Sequence, residues 1–507
     1  MSEPLILAVD SSTTATKAIV VDPQGRTVSQ GRASYGLATP AQGFYEQDAE
    51  DWVAASHSAI GQAVASLSDA DRRRVAGICV TPQRQTFVLC DDDGAPRRRA
   101  ILWLDGRAGD QVLRLGSDRV HELSGMVPDV TPSFYKLAWL AEHEPDVLVG
   151  ADRVAGVHAY LVHAFTGEWI DSRATADSLG LFDMAGLTWA DDLLELAGVR
   201  RDQLPELGDA ASVLGEVRGS VARGWGLPGP IPVVAGCGDG QAAGLGAGVT
   251  RPDEGYLNLG TAVVAGVHSP EYQWGRSYRT DAAGLPGQYV LEVVQNSGAH
   301  LTGWFRAELG DPALRGAPDA ELERAASEVP AGSDGLVTLP YWNAVQSPYW
   351  DPRARGAMVG FTGTHTRAAM YRSVLEGISL EAARNMRALE ADTGTRVTTL
   401  RIMGGGQRSP LWRSILASCL GVPLETCAGE EVSALGAAAM GMAAVTGTDV
   451  AATARAMAAS GDVTEPDPDL VERYAAIGSV QGELYDRLSD LFPRLQELVD
   501  GGGGPGR

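Results

Sequence analysis

The sequence predicts an α/β protein of at least two domains, and three observations lead to this expectation. The chain has 507 residues, whereas a single hydrophobic core stops growing at roughly 250–300 residues. Short apolar runs alternate with longer helical patterns through the first half, which is typical of α/β layers. An apolar run that ends in a turn of small hydroxyl residues occurs near the start, and a related turn follows residue 255. This repetition indicates two related halves.

The elements of the first half follow from apolar runs and from helix start and stop signals. Apolar runs rich in branched side chains predict strands over 5–9, 18–21, 75–80, 86–90 and 231–235. A helix is predicted over 48–67, because acidic side chains cluster near its start and favour a helix N-terminus. A second helix is predicted over 136–144, since Pro145 disfavours a helical conformation at the residue before it.

The second half repeats the same kinds of element. Strands are predicted over 256–259, 263–267, 289–294 and 399–403, and helices over 367–391, 409–420 and 469–498. In the long helix over 367–391, apolar residues recur every three or four positions and form one stripe that predicts core packing. Three glycines, Gly404 to Gly406, connect the strand over 399–403 to the helix that follows it.

Small and turn-forming residues cluster at 247–253, just before the second hydroxyl turn, and this cluster predicts a domain boundary. We expect an N-terminal domain over 1–250 and a C-terminal domain over 251–498. The glycine-rich end of the chain, over 499–507, is predicted to be a disordered tail, because its residues have little apolar surface to bury.

The composition excludes several classes of function. The formal net charge of −23 argues against a nucleic acid or an anionic membrane as partner. No apolar run reaches the ~18 residues of a membrane span, and the N-terminus lacks the pattern of a signal peptide, so we expect a cytoplasmic protein. The five cysteines are scattered without a CxxC pair, which predicts buried thiols rather than disulfides or a metal cluster.

The first hydroxyl turn has two interpretations. It could be an ordinary turn in which Asp10 serves as a cap. Alternatively, Asp10 holds Mg²⁺ and Lys17 adds a positive charge close to a phosphate group. In that case Thr13 and Thr14 contact phosphate oxygens together with backbone N–H groups. The related turn at 260–261 favours the second interpretation, because two such turns could face one polyphosphate.

A single carboxylate, Asp239, stands after a predicted buried strand, between glycines and the start of a helix. It is the only acid between Glu216 and Asp253. It could be a helix N-cap. Alternatively, it is a general base that accepts a proton from a substrate hydroxyl while the γ-phosphoryl group is transferred. Both roles fit the residues alone.

The triple glycine between a strand and a helix lets the backbone approach a flat base or a ribose closely. The sequence has no GxxxxGK[ST] phosphate loop, and it lacks the glycine loop, HRD and DFG set of protein kinases. Phosphoryl transfer in this chain therefore requires another architecture.

Eight stretches of the sequence occur in the order found in the FGGY carbohydrate kinase family, and the chain resembles a member of that family over about residues 5 to 450. The stretches are 10–17, 82–86, 101–107, 236–243, 258–261, 339–352, 375–377 and 404–412. Residues 433–438 also resemble the late helix that lies beside the nucleotide in this family. The resemblance implies two ribonuclease-H-like domains of the actin/hexokinase/Hsp70 superfamily with a central cleft. ATP would lie mainly on the C-terminal domain and the sugar mainly on the N-terminal domain.

The resemblance also implies roles for individual positions. Asp239 resembles the catalytic base, and Asp10 resembles the acid associated with magnesium. The resemblance and the two turns together predict nucleotide contacts at Thr13, Thr14, Lys17, Gly260, Thr261, Gly298, Gly405, Gly406 and Ser409. Positions expected at the sugar are Arg84, Gln85, Trp103, Asp105, Asp239 and Gln241. ATP and Mg²⁺ are the expected cofactors, and a homodimer is a possible assembly.

The substrate is less well defined than the reaction. The stretch 83–86, Gln-Arg-Gln-Thr, differs from the Met-His-Gly of xylulokinases and from the Gln-Arg-Glu-Thr of glycerol kinases. Glycerol kinases also place Gln directly after the catalytic Asp, where this chain has Gly240. The stretches 103–107 and 349–352 resemble those of pentulose kinases. The resemblance therefore implies a five-carbon ketose or polyol, with xylulose first, and glycerol or a four-carbon polyol as the alternative.

Two alternatives of a different class belong to the same superfamily. A non-catalytic nucleotide switch would bind ATP without sugar-dependent release of ADP, and the presence of Asp239 argues against it. A chaperone ATPase would need a peptide-binding β-domain after residue 450, where only helix and tail are predicted.

Overall fold

Two large mixed sheets organise the computed structural model, which describes residues 3–429 and 431–501. The strands of the first half are β1 Leu5–Ser11, β2 Ala15–Val21, β3 Thr27–Ser34, β4 Glu46–Gln47, β5 Val75–Pro82, β6 Phe87–Cys90, β7 Ala100–Ile101, β8 Arg153–Gly156, β9 Ile170–Ser172, β10 Phe182–Asp183, β11 Thr188–Trp189, β12 Glu206–Gly208, β13 Val213–Glu216 and β14 Pro232–Val234. Its helices are α1 Ala49–Ala65, α2 Asp69–Arg72, α3 Gly109–Leu115, α4 Asp118–Ser124, α5 Ser133–His143, α6 Pro145–Val149, α7 Val157–Thr166, α8 Arg173–Ala176, α9 Asp191–Ala197, α10 Gly219–Gly224 and α11 Asp239–Gly246.

The second half has fewer and longer elements. Its strands are β15 Glu254–Leu259, β16 Val263–Ser269, β17 Arg279–Ala282, β18 Tyr289–Gln295, β19 Val337–Leu339, β20 Ala357–Val359, β21 Thr399–Met403, β22 Leu424–Cys427 and β23 Ser460–Thr464. Its helices are α12 Ala299–Leu309, α13 Ala320–Glu328, α14 Arg367–Thr393, α15 Pro410–Leu420, α16 Val432–Thr446, α17 Val450–Met457, α18 Pro468–Leu488 and α19 Phe492–Gly501.

The two large sheets share one central topology. Their strand orders are β13-β14-β5-β1-β2-β3 and β17-β18-β16-β15-β21-β22-β23. In each, the first strand pairs antiparallel with the next strand, β1 with β2 and β15 with β16. The same first strand pairs parallel with a later strand, β5 or β21, which pairs parallel with β14 or β22 in turn. This common order confirms the predicted pair of related α/β domains.

Both faces of β1 are buried. Leu5, Leu7 and Val9 belong to the apolar cluster that includes Trp52 of α1, whereas Ile6 belongs to a second apolar cluster on the other face. A strand buried on both faces reads as an uninterrupted apolar run, which explains why its position could be predicted. Within the part of the chain that the structure describes, no helix is long and apolar enough to cross a membrane.

Helix α16 lies against the first sheet although it comes late in the chain, and it packs on β1, β5 and α11. A Cβ atom at Gly246 of α11 would lie 1.9 Å from the carbonyl oxygen of Val432. A Cβ atom at Gly436 would likewise lie 1.9 Å from the carbonyl oxygen of Ala242. The two glycines therefore allow the backbones of α11 and α16 to touch, and this contact fixes the helix that begins at Asp239.

The predicted helices are confirmed except near the C-terminus. Helices α1, α5 and α14 begin and end within three residues of the bounds predicted for them. The prediction of one helix over 469–498 is wrong, because α18 ends at Leu488 and a 3₁₀ turn, Ser489–Leu491, separates it from α19. Pro493 accounts for this break, since its ring would clash with the carbonyl group four residues earlier in a continuous helix. Helix α19 includes residues 499–501 of the predicted tail, and residues 502–507 lie outside the described residues.

His268 lies in β16 and its side chain makes the stability of the fold depend on pH. The residue is 2% exposed, and burial lowers the pKa of its imidazole from 6.5 to about 4. The unfolded chain thus binds this proton at a higher pH than the folded chain does. The contribution of His268 to the free energy of unfolding is therefore present above pH 6.5. It decreases by about 3 kcal/mol as the pH falls to 4.

Urea unfolding at pH 7, 5.5 and 4 measures this loss. The wild-type chain is expected to lose about 3 kcal/mol more free energy of unfolding over this range than the His268→Gln variant does. Equal losses in the two proteins would mean that His268 takes up no extra proton on unfolding.

Candidate active site

The carboxyl ends of three neighbouring strands bring predicted site residues of the N-terminal domain to one edge. Strands β14, β5 and β1 are adjacent and parallel, so their carboxyl ends share an edge of the sheet. Asp10 is the penultimate residue of β1, Arg84 closely follows β5, and Asp239 follows β14 after a short loop. This edge therefore carries the two acids and the arginine that the sequence singles out.

Asp10 is the buried acid of this edge. Its Oδ1 atom is buried and has no hydrogen-bond partner among the described residues. The pKa of Asp10 is raised to about 7, first by burial and then by the nearby Asp239 carboxylate, while Lys17 opposes the increase. An unpartnered carboxylate oxygen fits a hard cation, because Mg²⁺ prefers oxygen ligands.

Lys17 is engaged in an ion pair. Its Nζ atom lies 2.8 Å from both carboxylate oxygens of Glu431, the residue that precedes α16. A phosphate group would have to compete with this carboxylate for the ammonium group. The predicted phosphate contact of Lys17 therefore stays a prediction, and Glu431 is a neighbour that the sequence did not reveal.

The first hydroxyl turn is held by two side chains from other segments. Nε2 of Gln47 donates to the carbonyl oxygen of Thr13 at 2.6 Å. Nε1 of Trp103 donates to Oγ1 of Thr13 at 3.0 Å, whereas Thr14 is exposed at the tip of the turn. Trp103, which is predicted at the sugar, and Thr13, which is predicted at the phosphates, are therefore direct neighbours.

Asp239 is the first residue of α11, and its side chain is 41% exposed. The interpretation of Asp239 as a helix N-cap is wrong, because Gly238 occupies that position. Oδ1 accepts a hydrogen bond from the N–H group of Gly240 at 2.9 Å and lies 3.3 Å from Nε of Arg84. The hydroxyl of Ser433 donates to the Asp239 carbonyl oxygen at 3.2 Å. An oriented, partly exposed carboxylate of this kind can accept a proton from a bound alcohol.

Arg84 is the centre of a buried ion-pair network that joins the two halves of the chain. Its Nη1 lies 3.0 Å from Oδ2 of Asp281, and its Nη2 lies 3.0 Å from Oε1 of Glu292. Burial alone would raise the pKa of Glu292, but Arg279 and Arg84 lower it to about 2. Arg84 thus touches Asp239 with one edge of its guanidinium group and the second half of the chain with the other.

Asp281 and Glu292 are site neighbours that the sequence reading missed. A signal for Glu292 was present, because it is the one acid within the apolar strand predicted over 289–294. Charged residues are rarely buried without a partner. An acid inside a buried strand therefore indicates a buried cation, although the sequence does not say which arginine supplies it.

Lys136 ties the loop that carries Arg84 to the segment that carries Trp103. Its Nζ atom donates to the carbonyl oxygens of Gln85, Leu102 and Thr131 at 3.3, 2.9 and 2.7 Å. Burial lowers the pKa of Lys136 to about 7. Gln85 has a φ of +58°, a left-handed conformation that is strained for a residue other than glycine, and the bond from Lys136 to its carbonyl oxygen supports this conformation.

The side chains of Gln85 and Gln241 are both buried. Nε2 of Gln85 lies 3.7 Å from the sulfur of Met126. Nε2 of Gln241 donates to the carbonyl oxygen of Ala282 at 3.3 Å and so joins α11 to the second half of the chain. These contacts support the walls of the site, and substrate contact by either amide stays a prediction.

Asp105 is fully buried and already paired. Its Oδ1 lies 2.8 Å from Nε of Arg107, and its Oδ2 accepts a hydrogen bond from the N–H group of Tyr45 at 2.7 Å. Arg107 lies over the Phe44 ring, with 4.2 Å between the guanidinium carbon and the ring centroid. Asp105 therefore orders the loop after Trp103, and its predicted contact with the sugar stays a prediction.

The second hydroxyl turn is bonded to the start of α12 through the main chain. The N–H groups of Gly298 and Ala299 donate to the carbonyl oxygens of Thr261 and Gly260 at 3.0 and 2.7 Å. A Cβ atom at Gly298 would lie 2.7 Å from the Gly260 carbonyl oxygen, so the turn can approach α12 only at a glycine. Three residues predicted to contact the nucleotide are thus brought together, and Thr261 is exposed.

The triple glycine lies beside this turn, because β21, which precedes Gly404, is parallel to β15. Gly404 has a φ of +84°, in the region that favours glycine. A Cβ atom at Gly405 would meet no atom within 4 Å. The loop therefore has an open side at Gly405, where a flat group could approach the backbone.

Gly406 and Ser409 are packed more closely than Gly405. A Cβ atom at Gly406 would lie 2.7 Å from the ring of Trp412. The hydroxyl oxygen of Ser409 accepts a hydrogen bond from the N–H group of Trp412 at 3.0 Å and so caps α15. The same hydroxyl donates to Glu323. Contacts of Gly406 and Ser409 with a nucleotide stay predictions.

The residues present fit a nucleotide with its magnesium ion. Within residues 3–429 and 431–501, no three acidic, histidine or cysteine side chains gather into a metal-binding cluster. Mg²⁺ that travels with a nucleotide needs only one or two protein carboxylates, because phosphates and waters complete its coordination. The unpartnered oxygen of Asp10 and the open backbone at Gly405 are consistent with this kind of site.

Comparisons with known proteins agree with these features. Residues 5–246 match the N-terminal domain model, and residues 255–445 the C-terminal domain model, of the FGGY family of carbohydrate kinases. The glycerol kinase of Bordetella parapertussis is 32% identical over 87% of this chain and 88% of its own. The xylulose kinase of Lactococcus lactis is 27% identical over 98% of this chain and 99% of its own. The crystal structure of xylulose kinase from Rhodospirillum rubrum is 31% identical, with a TM-score of 0.89 over 96% of this chain and 99% of its own.

Proposed function

Since the chain belongs to the FGGY family of carbohydrate kinases and is an ATP-dependent carbohydrate kinase, we propose that its acceptor is a terminal hydroxyl of a five-carbon ketose or polyol. Xylulose is the first candidate for this acceptor. The observation that carries this choice is the similarity to a xylulose kinase along almost the whole of both chains. The xylulose kinase structure that superposes over 96% of this chain supports it further.

Asp239 is the catalytic base of the proposed reaction. The hydroxyl oxygen of the acceptor forms a bond to the γ-phosphorus, the bond from that phosphorus to ADP breaks, and Asp239 takes the hydroxyl proton. The hydrogen bond from Gly240 and the contact with Arg84 hold Oδ1 in place. The carboxylate is therefore oriented before the substrate arrives, and little of the binding energy is needed to position it.

The two hydroxyl turns hold the phosphate groups in this proposal. Thr13, Thr14 and Thr261 supply hydroxyl and N–H donors to the phosphate oxygens, and the glycines at 260 and 298 let the turn of the second half come close. Asp10 would hold Mg²⁺, which when bound offsets negative charge on the phosphates. The open backbone at Gly405 leaves room for the adenosine group.

The charges around Arg84 favour an uncharged acceptor. Three carboxylates, those of Asp239, Asp281 and Glu292, face the guanidinium group of Arg84. Arg279 adds one more positive charge beside Glu292. The carboxylate of a sugar acid would therefore be repelled by the excess negative charge at this site. The uncharged hydroxyls of a ketose or polyol would not be repelled. This favours xylulose or a pentitol over an aldonate.

Glycerol or a four-carbon polyol is the second candidate. The observation in its favour is the 32% identity to the glycerol kinase of Bordetella parapertussis, together with the Gln-Arg pair at 83–84. A shorter polyol could use the same base and the same phosphate turns, so only the acceptor differs between the two proposals.

A coupled assay of ADP release over D-xylulose, other pentuloses, pentitols, glycerol, erythritol and gluconate tests the acceptor. We expect the highest kcat/KM with D-xylulose or another five-carbon acceptor, and no sugar-dependent ADP release with gluconate. Activity confined to glycerol and erythritol would favour the second candidate instead. ATP binding with no acceptor-dependent ADP release at all would contradict both.

A further inference from the structure

We propose that His158 is a positioning residue for the catalytic base: its neutral imidazole, oriented by Asp171, holds the loop 236–239 that carries Asp239. This inference rests on the role proposed for Asp239. It concerns a buried histidine that lies outside the ring of side chains expected to touch the sugar or the nucleotide.

His158 joins two segments through its two ring nitrogens. The residue lies in α7, and its side chain is fully buried. Nδ1 lies 2.8 Å from Oδ1 of Asp171, and the N–H group of Gly236 lies 3.4 Å from Nε2. A backbone N–H can only donate, so Nε2 must accept and the ring proton must be on Nδ1, where it is donated to Asp171. One neutral tautomer satisfies both contacts.

Asp171 fixes this tautomer. Its Oδ1 also accepts hydrogen bonds from the N–H group of Ser172 at 2.8 Å and from the hydroxyl of Thr175 at 2.6 Å. Its Oδ2 is buried without a partner among the described residues. The residue also lines a cavity of about 10 Å³, which is about the size needed for one water molecule. The carboxylate is thus held by donors from several segments and sets the direction of the imidazole ring.

The loop after β14 is held closely at each residue before Asp239. A Cβ atom at Gly236 would lie 1.8 Å from the Val80 carbonyl oxygen, so the backbone runs directly against β5. The hydroxyl of Thr81 donates to the carbonyl oxygen of Cys237 at 2.8 Å. The N–H group of Gly238 donates to the carbonyl oxygen of Ala174 at 3.0 Å. The bond from the Gly236 N–H group to His158 is a further side-chain support of this loop, besides that of Thr81.

The position of this support explains how a residue outside the site could control the rate. Gly236 and Gly238 flank Cys237, and glycine backbones have several conformations open to them when a contact is lost. A small displacement of Asp239 would change its distance to the acceptor hydroxyl, and misplacement by about 1 Å can lower a rate by about a hundredfold. Nucleotide binding on the second half of the chain would be little affected.

The test compares His158→Leu, which can neither donate to Asp171 nor accept from Gly236, with His158→Gln, whose amide can do both. We expect His158→Leu to lower kcat by about tenfold to a hundredfold, with the KM for MgATP changed less than about twofold. His158→Gln should recover most of the lost kcat. His163→Leu, on the same helix and stacked on Trp169, is the control and should keep a kcat close to that of the wild type.

A double variant separates this inference from the role of Asp239. If His158 acts through Asp239, adding His158→Leu to Asp239→Asn should lower kcat no further. A full additional loss in the double variant would overturn the inference, as would an unchanged kcat in His158→Leu. If His158→Leu does not fold, a folded His158→Gln variant that has lost kcat would overturn it. An Asp239→Asn variant with wild-type turnover would instead contradict the proposed base.

Discussion

Replacement of Arg84 by methionine is expected to lower the free energy of unfolding by about 3–5 kcal/mol. Methionine keeps much of the length of the side chain but leaves Asp281 and Glu292 with one cation fewer in a buried position. Removing one partner of a buried ion pair costs more than the pair contributes, because the remaining charge stays out of water. Urea unfolding of the variant at pH 7 measures the loss.

The surface pair of Arg276 and Asp118 provides a matched control. It also joins the two halves of the chain, with 2.6 Å between Nη2 and Oδ2, but the side chains are 77% and 59% exposed. An exposed pair contributes about 0–1 kcal/mol, so Arg276→Met should change stability by no more than this. The Arg84→Met/Asp281→Asn double variant should be more stable than Arg84→Met alone. Equal stability of the Arg84→Met and Arg276→Met variants would contradict the network described for Arg84.

Much of the fold could be predicted because the central strands are buried on both faces. Strand β1 and its neighbour β5 are continuous apolar runs, and the stripe of α14 has helical spacing. Strand β3, Thr27–Ser34, was missed because it is a polar edge strand in which most side chains are partly or fully exposed. Strands at the edge of a sheet often carry polar or charged side chains, which discourage pairing with another chain, so an apolar pattern does not mark them.

The site could be predicted in part. Asp10 and Asp239 were identified because each stands at or just after the end of an apolar strand, whereas Arg84 was identified through the resemblance to the family. The parallel order of β1, β5 and β14 brings the three residues to one edge. Partners of the site residues come from distant parts of the chain: Glu292 for Arg84 and Glu431 for Lys17. Such pairs depend on how α16 and the second sheet dock against the first. Local sequence patterns do not contain that information.

Replacement of Asp239 by asparagine is expected to lower kcat by about 10²–10⁴-fold. Asparagine keeps the shape of the side chain and can still accept the hydrogen bond from Gly240, but its amide cannot take a proton from the acceptor. The affinity for MgATP should change little, because the phosphate turns and the Gly405 loop are untouched. Asp253→Asn, which alters an acid at a surface ion pair, is the control and should leave kcat unchanged.

The rate of acceptor-dependent ADP formation by Asp239→Asn, measured beside its MgATP dissociation constant, tests the central claim most directly. A hundredfold or greater loss of turnover, approximately in the range expected for a general base, with nucleotide affinity retained, is the predicted result. Turnover close to that of the wild-type enzyme would show that another group takes the proton.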